Sequence, residues 1–230
     1  MVPHKLDWDS QFFNKNIGEV FLQNSGELVF TESDFELIVV KQPNEFLVEI
    51  EDYECTFQET KVLFEKKLSV QELGEFGTIK DTDSDPKNWK FFKELAYESG
   101  KHSRFLLDPN FGEAPFQNLY NEWIINSINK KFAEKIFYLA NNEETIGFVT
   151  VQKEGDKGKI GLIATNPKFQ GKGFGKVLLQ KAEEYCIENG MTTMQIPTQA
   201  ENIQACQFYQ NRGYVIAETL IIKHFWKKIT

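Results

Sequence analysis

Asn166-Pro167-Lys168-Phe169-Gln170-Gly171-Lys172-Gly173-Phe174-Gly175-Lys176 lies between an apolar run ending at Thr165 and a helical pattern beginning at Phe174. Three phosphate-loop patterns compete for it. A Walker loop needs Gly where Gln170 stands and Ser or Thr where Val177 stands. A dinucleotide GxGxxG begun at Gly171 needs Gly at Lys176. What survives is QxxGxG between a strand and a helix. Glycines let the backbone approach a ligand closely, and the free N–H groups of a first helical turn point outward at the positive end of the helix dipole. The turn is an anion cradle.

Local charge agrees with this. Residues 166–182 carry Lys168, Lys172, Lys176 and Lys181 and no acidic side chain, within a chain of net charge −8. The overall acidity argues against nucleic acid or an anionic membrane as the main partner. No apolar run approaches a membrane span, and Met1–Ser10 does not lead into a signal core. The expected setting is therefore soluble and cytoplasmic. Cys55, Cys186 and Cys206 form no CxxC pair and read as buried thiols, while His4, His102 and His224 are isolated. Neither a metal site nor a covalent Cys–His pair is expected.

Working outward, short strands are expected at 18–22, 37–40 and 56–68. The Asp81, Asp83, Asp85, Pro86 cluster marks a loop, and 89–99 has helical spacing. A domain boundary near 70–75 divides the chain into a small N-terminal α/β module, 1–72, and a larger domain, 73–230. In the larger domain a helix over 115–130 precedes strands at 136–140 and 145–152, joined by an Asn141-Asn142 turn. A strand at 159–165 enters the glycine turn. A helix closed by Gly190, a strand at 192–197, a helix over 202–212 and strands after Gly213 follow. This alternation predicts a mixed, mostly antiparallel α/β sheet flanked by helices.

With its QxxGxG turn and a second motif, Asn202-x-x-Ala205-x-x-Phe208-Tyr209-x-x-x-Gly213-Tyr214, the chain resembles the GCN5-related N-acetyltransferase (GNAT) superfamily over residues 76–226. The resemblance implies that acyl-CoA is the co-substrate, held by Ile163, Ala164, Gln170, Gly171, Lys172, Gly173, Phe174, Gly175, Lys176 and Asn202. Asn202 either caps its helix, contacts pantetheine, or does both. Amine attack on a thioester puts charge on the carbonyl oxygen, which a backbone N–H near 160–164 could stabilise where that strand splays from its neighbour. The departing thiolate needs a proton, and Tyr209 is the expected acid, a tyrosine being protonated at neutral pH. The competing reading of Tyr209 is a core aromatic.

Further segments, Leu6-Asp7-Trp8-Asp9 with Phe12-Phe13, Ser103-Arg104-Phe105, Tyr120-x-x-Trp123-Ile124, 160–164 and Thr198-Gln199, look like the TDP-fucosamine acetyltransferase family. This likeness implies that the acceptor is the 3- or 4-amine of a dTDP-linked amino-dideoxysugar destined for surface polysaccharide such as lipopolysaccharide, with Trp8, Arg104, Phe105, Thr198 and Gln199 as substrate-binding residues. The acyl group is acetyl or a longer one such as hydroxybutyryl, and a homodimer is compatible. The chain holds 24 lysines but only two arginines, Arg104 and Arg212. Arg104's planar fork suits a diphosphate, which it would bind or whose pocket it would shape. The general base is unassigned, with Glu154, Glu113, His102 and a water chain as candidates. Acylation of a protein or peptide amine and a non-catalytic CoA-binding module are the rival functions.

Overall fold

The computed structural model describes residues 2–24, 34–69, 79–141 and 144–228. In chain order the strands and helices are β1 (His4–Lys5), α1 (Asp7–Phe13), β2 (Ile17–Phe21), β3 (Leu37–Gln42), β4 (Tyr53–Lys67), β5 (Lys80–Asp81), α2 (Lys93–Ser99), α3 (Arg104–Leu107) and α4 (Glu113–Ile128). There follow β6 (Lys135–Ala140), β7 (Thr145–Glu154), β8 (Lys157–Thr165), α5 (Phe174–Glu188), β9 (Thr193–Gln199), α6 (Ile203–Gln210) and β10 (Val215–Lys227). The ten strands among the described residues join one sheet in the order β1-β2-β3-β10-β4-β9-β8-β7-β6-β5. Pairing is antiparallel except for β2 with β3 and β8 with β9, so the sheet is mixed and mostly antiparallel, as expected.

Strand alternation sends side chains to two cores, because successive residues face opposite sides of a sheet. Phe148, Leu162 and Ile222 face α2, α3 and α4, where Phe92, Leu95, Phe105, Leu119 and Ile124 pack. Val149, Ile160, Val62 and Phe64 face α5 and α6, where Leu178, Ala182, Cys186 and Tyr209 pack. A third cluster, with Val20, Ile38, Val40 and Phe225, lies under the N-terminal strands.

The boundary expected near 70–75 falls on residues 70–78, outside the described ones. The long strand β4 lies between β9 and β10, so described residues on both sides of that position share one sheet. Several local expectations change. The single helix over 89–99 is a 3-10 turn, Trp89–Phe91, followed by α2. The strands after Gly213 are one strand, β10, kept continuous by pairing with β4 along nearly its whole length. Asn142 of the expected hairpin turn lies outside the described residues, while β6 and β7 do pair antiparallel. Cys186 is buried and Cys206 half-buried, but Cys55 is exposed, on an outward-facing stretch of β4. No helix among the described residues is long and apolar enough to cross a membrane.

Candidate active site

The parallel pair β8–β9 is hydrogen-bonded only at its start. Lys157, Gly158 and Lys159 pair with Thr193, Met194 and Gln195, and from there β8 runs on to Thr165 and β9 to Gln199 without further pairing between them. A bulge on the other side of β8 contributes to the change of course. Val149 pairs with Ile163 and Val151 with Ile160, leaving Gly161 and Leu162 opposite Thr150 alone. Thr150 Oγ1 accepts the Leu162 N–H at 2.8 Å, replacing a ladder bond lost to the extra residue. A Cβ on Gly161 would meet Thr150 Oγ1 and Gln152 Nε2, each at 2.9 Å, so glycine lets these side chains lie against the bulge without shifting.

The splayed strands open a cavity of about 850 Å³ that runs from the glycine turn to α1 and α3. It is lined by Ile163, Ala164, Gln170, Gly171, Gly173, Phe174, Gly175, Lys176, Asn202 and Tyr209, and also by Trp8, Arg104, Phe105, Thr198 and Gln199. Of the residues expected to hold acyl-CoA or the acceptor, only Lys172 lies outside the lining. Its ammonium sits 5.3 Å from the centre of the Phe169 ring.

At the cradle, Gly171 and Gly173 have φ of +76° and +86°, the left-handed region that L side chains rarely adopt. A Cβ at either position would meet nothing within 4 Å, so the turn's outer side is open. Gly173 is the N-cap of α5, and the first-turn amides of Phe174 and Gly175 have no carbonyl within the helix to bond. These groups fit a phosphate or pyrophosphate. Gln170 Nε2 donates to Thr165 O and to Glu98 Oε1, both at 3.1 Å, holding the turn to the end of β8 and to α2.

The helix α6 packs on the sheet and brings Asn202, at its N-cap, and Tyr209 to the cavity lining. Asn202 Oδ1 accepts the Ala205 N–H at 3.2 Å, so its side chain caps this helix. Tyr209, 5% exposed, packs its ring 5.6 Å from that of Phe64. Burial pushes its hydroxyl well above the ordinary phenol range, so Tyr209 holds its proton at neutral pH.

The opposite end is built on α3. Ser103 Oγ accepts the Phe105 N–H at 3.3 Å and starts the helix. The Arg104 guanidinium lies 4.8 Å from the centre of the Phe105 ring, and its Nη1 is buried without a hydrogen-bond partner. Asp108, fully buried after the helix, anchors α3 to β10. Its Oδ2 meets His224 Nδ1 at 2.6 Å and accepts the Trp226 indole N–H at 2.8 Å. Burial works against the Asp108 charge, but the hydrogen bonds from His224 and Trp226 hold its carboxyl below the usual range. Burial also lowers the His224 pKa, so a neutral ring donates from Nδ1 to an ionised Asp108. Phe105 is stacked 5.2 Å from Phe13, within the core, while Trp8 is 47% exposed at the cavity mouth and stacked on Phe12.

Glu154, Glu113 and His102 do not line the cavity. Glu154 is at the far end of β7, paired with Lys159 at 2.9 Å, and Glu113 is engaged by Gln117 on the surface of α4. Three carboxylates do line it, Asp9, Glu98 and Glu59, and the most buried is Glu59 of β4, which sequence reasoning missed. It is 5% exposed, its Oε2 has no hydrogen-bond partner, and burial raises its pKa to about 7 despite the pull of Arg104. Glu59 shares a strand face with Phe57 and Leu63, so an acidic residue at an inward-facing position was the available signal.

The chain matches the Acetyltransferase (GNAT) family over residues 89–214. The spore coat polysaccharide biosynthesis protein SpsD of Bacillus subtilis is 27% identical over 142 residues, 62% of this chain and 49% of that protein. Streptothricin acetyltransferase A, also from Bacillus subtilis, is 32% identical over 93 residues, 39% of this chain and 53% of that protein. The chain thus spans about half the length of these curated relatives. Among solved structures, a GCN5-related N-acetyltransferase from Sphaerobacter thermophilus has a TM-score of 0.53 at 11% identity, covering 84% of this chain and 61% of that one. A conserved protein of unknown function from Staphylococcus epidermidis has a TM-score of 0.58 at 13% identity, covering 85% and 74%. Both likenesses concern the fold.

Proposed function

Because the chain belongs to the acetyltransferase (GNAT) family, we propose that it moves an acyl group from acyl-CoA to the amine of a dTDP-linked 3- or 4-amino-dideoxysugar. The observation that carries the acceptor half is Arg104: a half-buried side chain whose Nη1 is buried without a hydrogen-bond partner, in the wall of the cavity that also receives the glycine turn. A buried, unpartnered donor of this kind suits an anionic ligand group, and the guanidinium fork matches the oxygens of a diphosphate. Trp8, exposed at the mouth beside Asp9, offers a flat surface for a base or sugar ring. The name of SpsD, a polysaccharide biosynthesis protein, supports a sugar as the final destination.

The family chemistry supplies an activated thioester, and the chain's own groups serve it at three points. The amides of Phe174 and Gly175 with Gly171 and Gly173 hold pyrophosphate. The splay between β8 and β9 receives the pantetheine arm beside Ile163 and Ala164. Tyr209, protonated at neutral pH, donates to the sulfur as it leaves. Thr198 and Gln199, on β9 where it has parted from β8, flank the acyl group and bear on whether it is acetyl or a longer chain such as hydroxybutyryl.

The test is kinetic. Arg104→Ala should raise the KM for a dTDP-amino sugar at least tenfold with little change in the KM for acetyl-CoA, a loss of the size expected for a charge-assisted hydrogen bond of about 1.5–3 kcal/mol. Arg104→Lys should restore little of it, because an ammonium lacks the planar fork. An unchanged sugar-nucleotide KM in Arg104→Ala would remove Arg104 from the acceptor site.

A further inference from the structure

An amine arriving in this cavity is an ammonium ion at neutral pH and must lose a proton before it can attack a thioester. Tyr209 cannot take that proton, since burial holds it in the protonated form. The acceptor end of the cavity contains Glu59, on the strand in the middle of the sheet. It pairs with Ile222 of β10 and so faces the same side as α3 and α4. Ile222 and Leu220 line the same wall, with Lys61 on the same strand face and Lys41 on the neighbouring strand β3. Its Oε2 is buried with no hydrogen-bond partner, and Arg104 Nη1 in the same cavity is likewise unpartnered. A buried acceptor atom left unsatisfied costs about 1–3 kcal/mol, which an arriving N–H donor would offset.

We propose that Glu59 is the general base of this protein, accepting a proton from the acceptor's ammonium group. The assignment rests on the amine-acceptor reading above. Glu59 Oε takes one proton from R–NH₃⁺, and the freed lone pair forms the C–N bond at the thioester carbonyl carbon while the C=O electron pair moves onto oxygen. That pair returns as the C–S bond breaks, and the sulfur takes the Tyr209 hydroxyl proton. The new amide nitrogen gives up its second proton, which restores Tyr209, and Glu59 releases its own proton to solvent. The sum is one amide, one free thiol and one proton, with no oxidant or further reactant required.

The charges around Glu59 suit the role. Arg104 of α3 and Lys61 on the same strand favour its ionised form, while Glu201, after β9, opposes it. Asp9 of α1, Lys41 of β3 and the Tyr120 hydroxyl of α4 line the same cavity. Burial outweighs these charges and keeps the carboxyl near neutrality, the range in which a general base works best at physiological pH.

The experiment compares wild type, Glu59→Gln and Glu59→Asp in kcat/KM for a dTDP-4-amino-4,6-dideoxyhexose across pH 5.5–9, at saturating acetyl-CoA, together with CoA affinity by calorimetry. Wild type should lose activity on the acid side with a midpoint near pH 7. Glu59→Gln should fall by about 100-fold or more and lose that limb, keeping only the dependence set by the amine's own ionisation, with CoA affinity within about twofold of wild type. Glu59→Asp should keep the limb at a reduced rate. Glu59→Gln with wild-type rate and profile would overturn the assignment. So would Glu59→Asp that turns over without the limb, a result that decides the matter even if Glu59→Gln does not fold. Failure of wild type to acylate any amino sugar would sink the acceptor reading, whereas turnover that Glu59→Gln retains sinks only the role of Glu59.

Discussion

Gln170 donates a hydrogen bond from Nε2 to Glu98 Oε1 at 3.1 Å, tying the glycine turn to α2. Glu98 is itself paired with Lys101 at 2.6 Å, so the turn is fastened to an ionic pair and, through Thr165 O, to the end of β8. The first residue of the QxxGxG pattern thus fixes the shape of the cradle as well as lining the cavity.

Gln170→Ala should therefore weaken CoA binding about tenfold, the effect of losing one hydrogen bond to a charged group and one to a carbonyl, with a smaller change in kcat. Calorimetry with CoA reads this directly. CoA affinity equal to wild type would show that the turn holds its shape without the tie.

Gly173→Ala tests the cradle differently. The left-handed φ of +86° costs a Cβ-bearing residue about 1–2 kcal/mol, yet no protein atom lies within 4 Å of the added methyl. Stability should drop by that amount, while CoA affinity should drop further because the methyl occupies the open ligand side. A loss of stability with unchanged CoA affinity would place the phosphates elsewhere.

Tyr209→Phe should lower kcat by about 100-fold and leave CoA affinity close to wild type, since the ring remains available to pack on Phe64. Because burial raises the Tyr209 pKa, wild type should show no basic limb from this group up to pH 9. Stopped-flow measurement of thiol release would distinguish slow chemistry from slow binding. Loss of CoA affinity instead would give Tyr209 a structural role.

A separate consequence of Glu59 concerns stability. Its carboxyl is raised from an ordinary 4.5 to about 7, so the folded state binds its proton more tightly than the unfolded state does. The sign follows: the contribution is fully present below pH 4.5 and is lost as pH rises through about 7. Glu59→Gln removes the charge and should be more stable than wild type at pH 8, by up to about 3 kcal/mol on the basis of roughly 1.4 kcal/mol per pH unit. The advantage should shrink toward pH 5. Urea denaturation at the two pH values measures it, and equal stability at pH 8 would show that Glu59 is not strained by its burial.

The glycine turn, the helix from Phe174 and the Asn202–Tyr209 helix were legible because their signals are local: φ-permissive glycines, a capping residue and 3.6-residue periodicity. The convergence of Trp8 and Arg104 on one cavity was legible only through resemblance, since they come from segments nearly a hundred residues apart in sequence. Glu59 was not legible. Its importance depends on β4 running between β9 and β10, a pairing with no signature in the strand itself. The strand over 56–68 is expected, and Glu59 shares a face with Phe57 and Leu63, but only the long-range pairing decides that this face turns inward. The same applies to Asp108, whose partners His224 and Trp226 lie more than a hundred positions away.

The most direct measurement of the central claim is the initial rate of free CoA release, read with a thiol reagent, for wild-type protein given acetyl-CoA and a panel of dTDP-linked 3-amino and 4-amino sugars. Release should require both substrates, saturate in each, and coincide with an acetylated sugar nucleotide detected by mass spectrometry. CoA release that ignores every amino sugar, or that appears only with a peptide amine, would contradict the account.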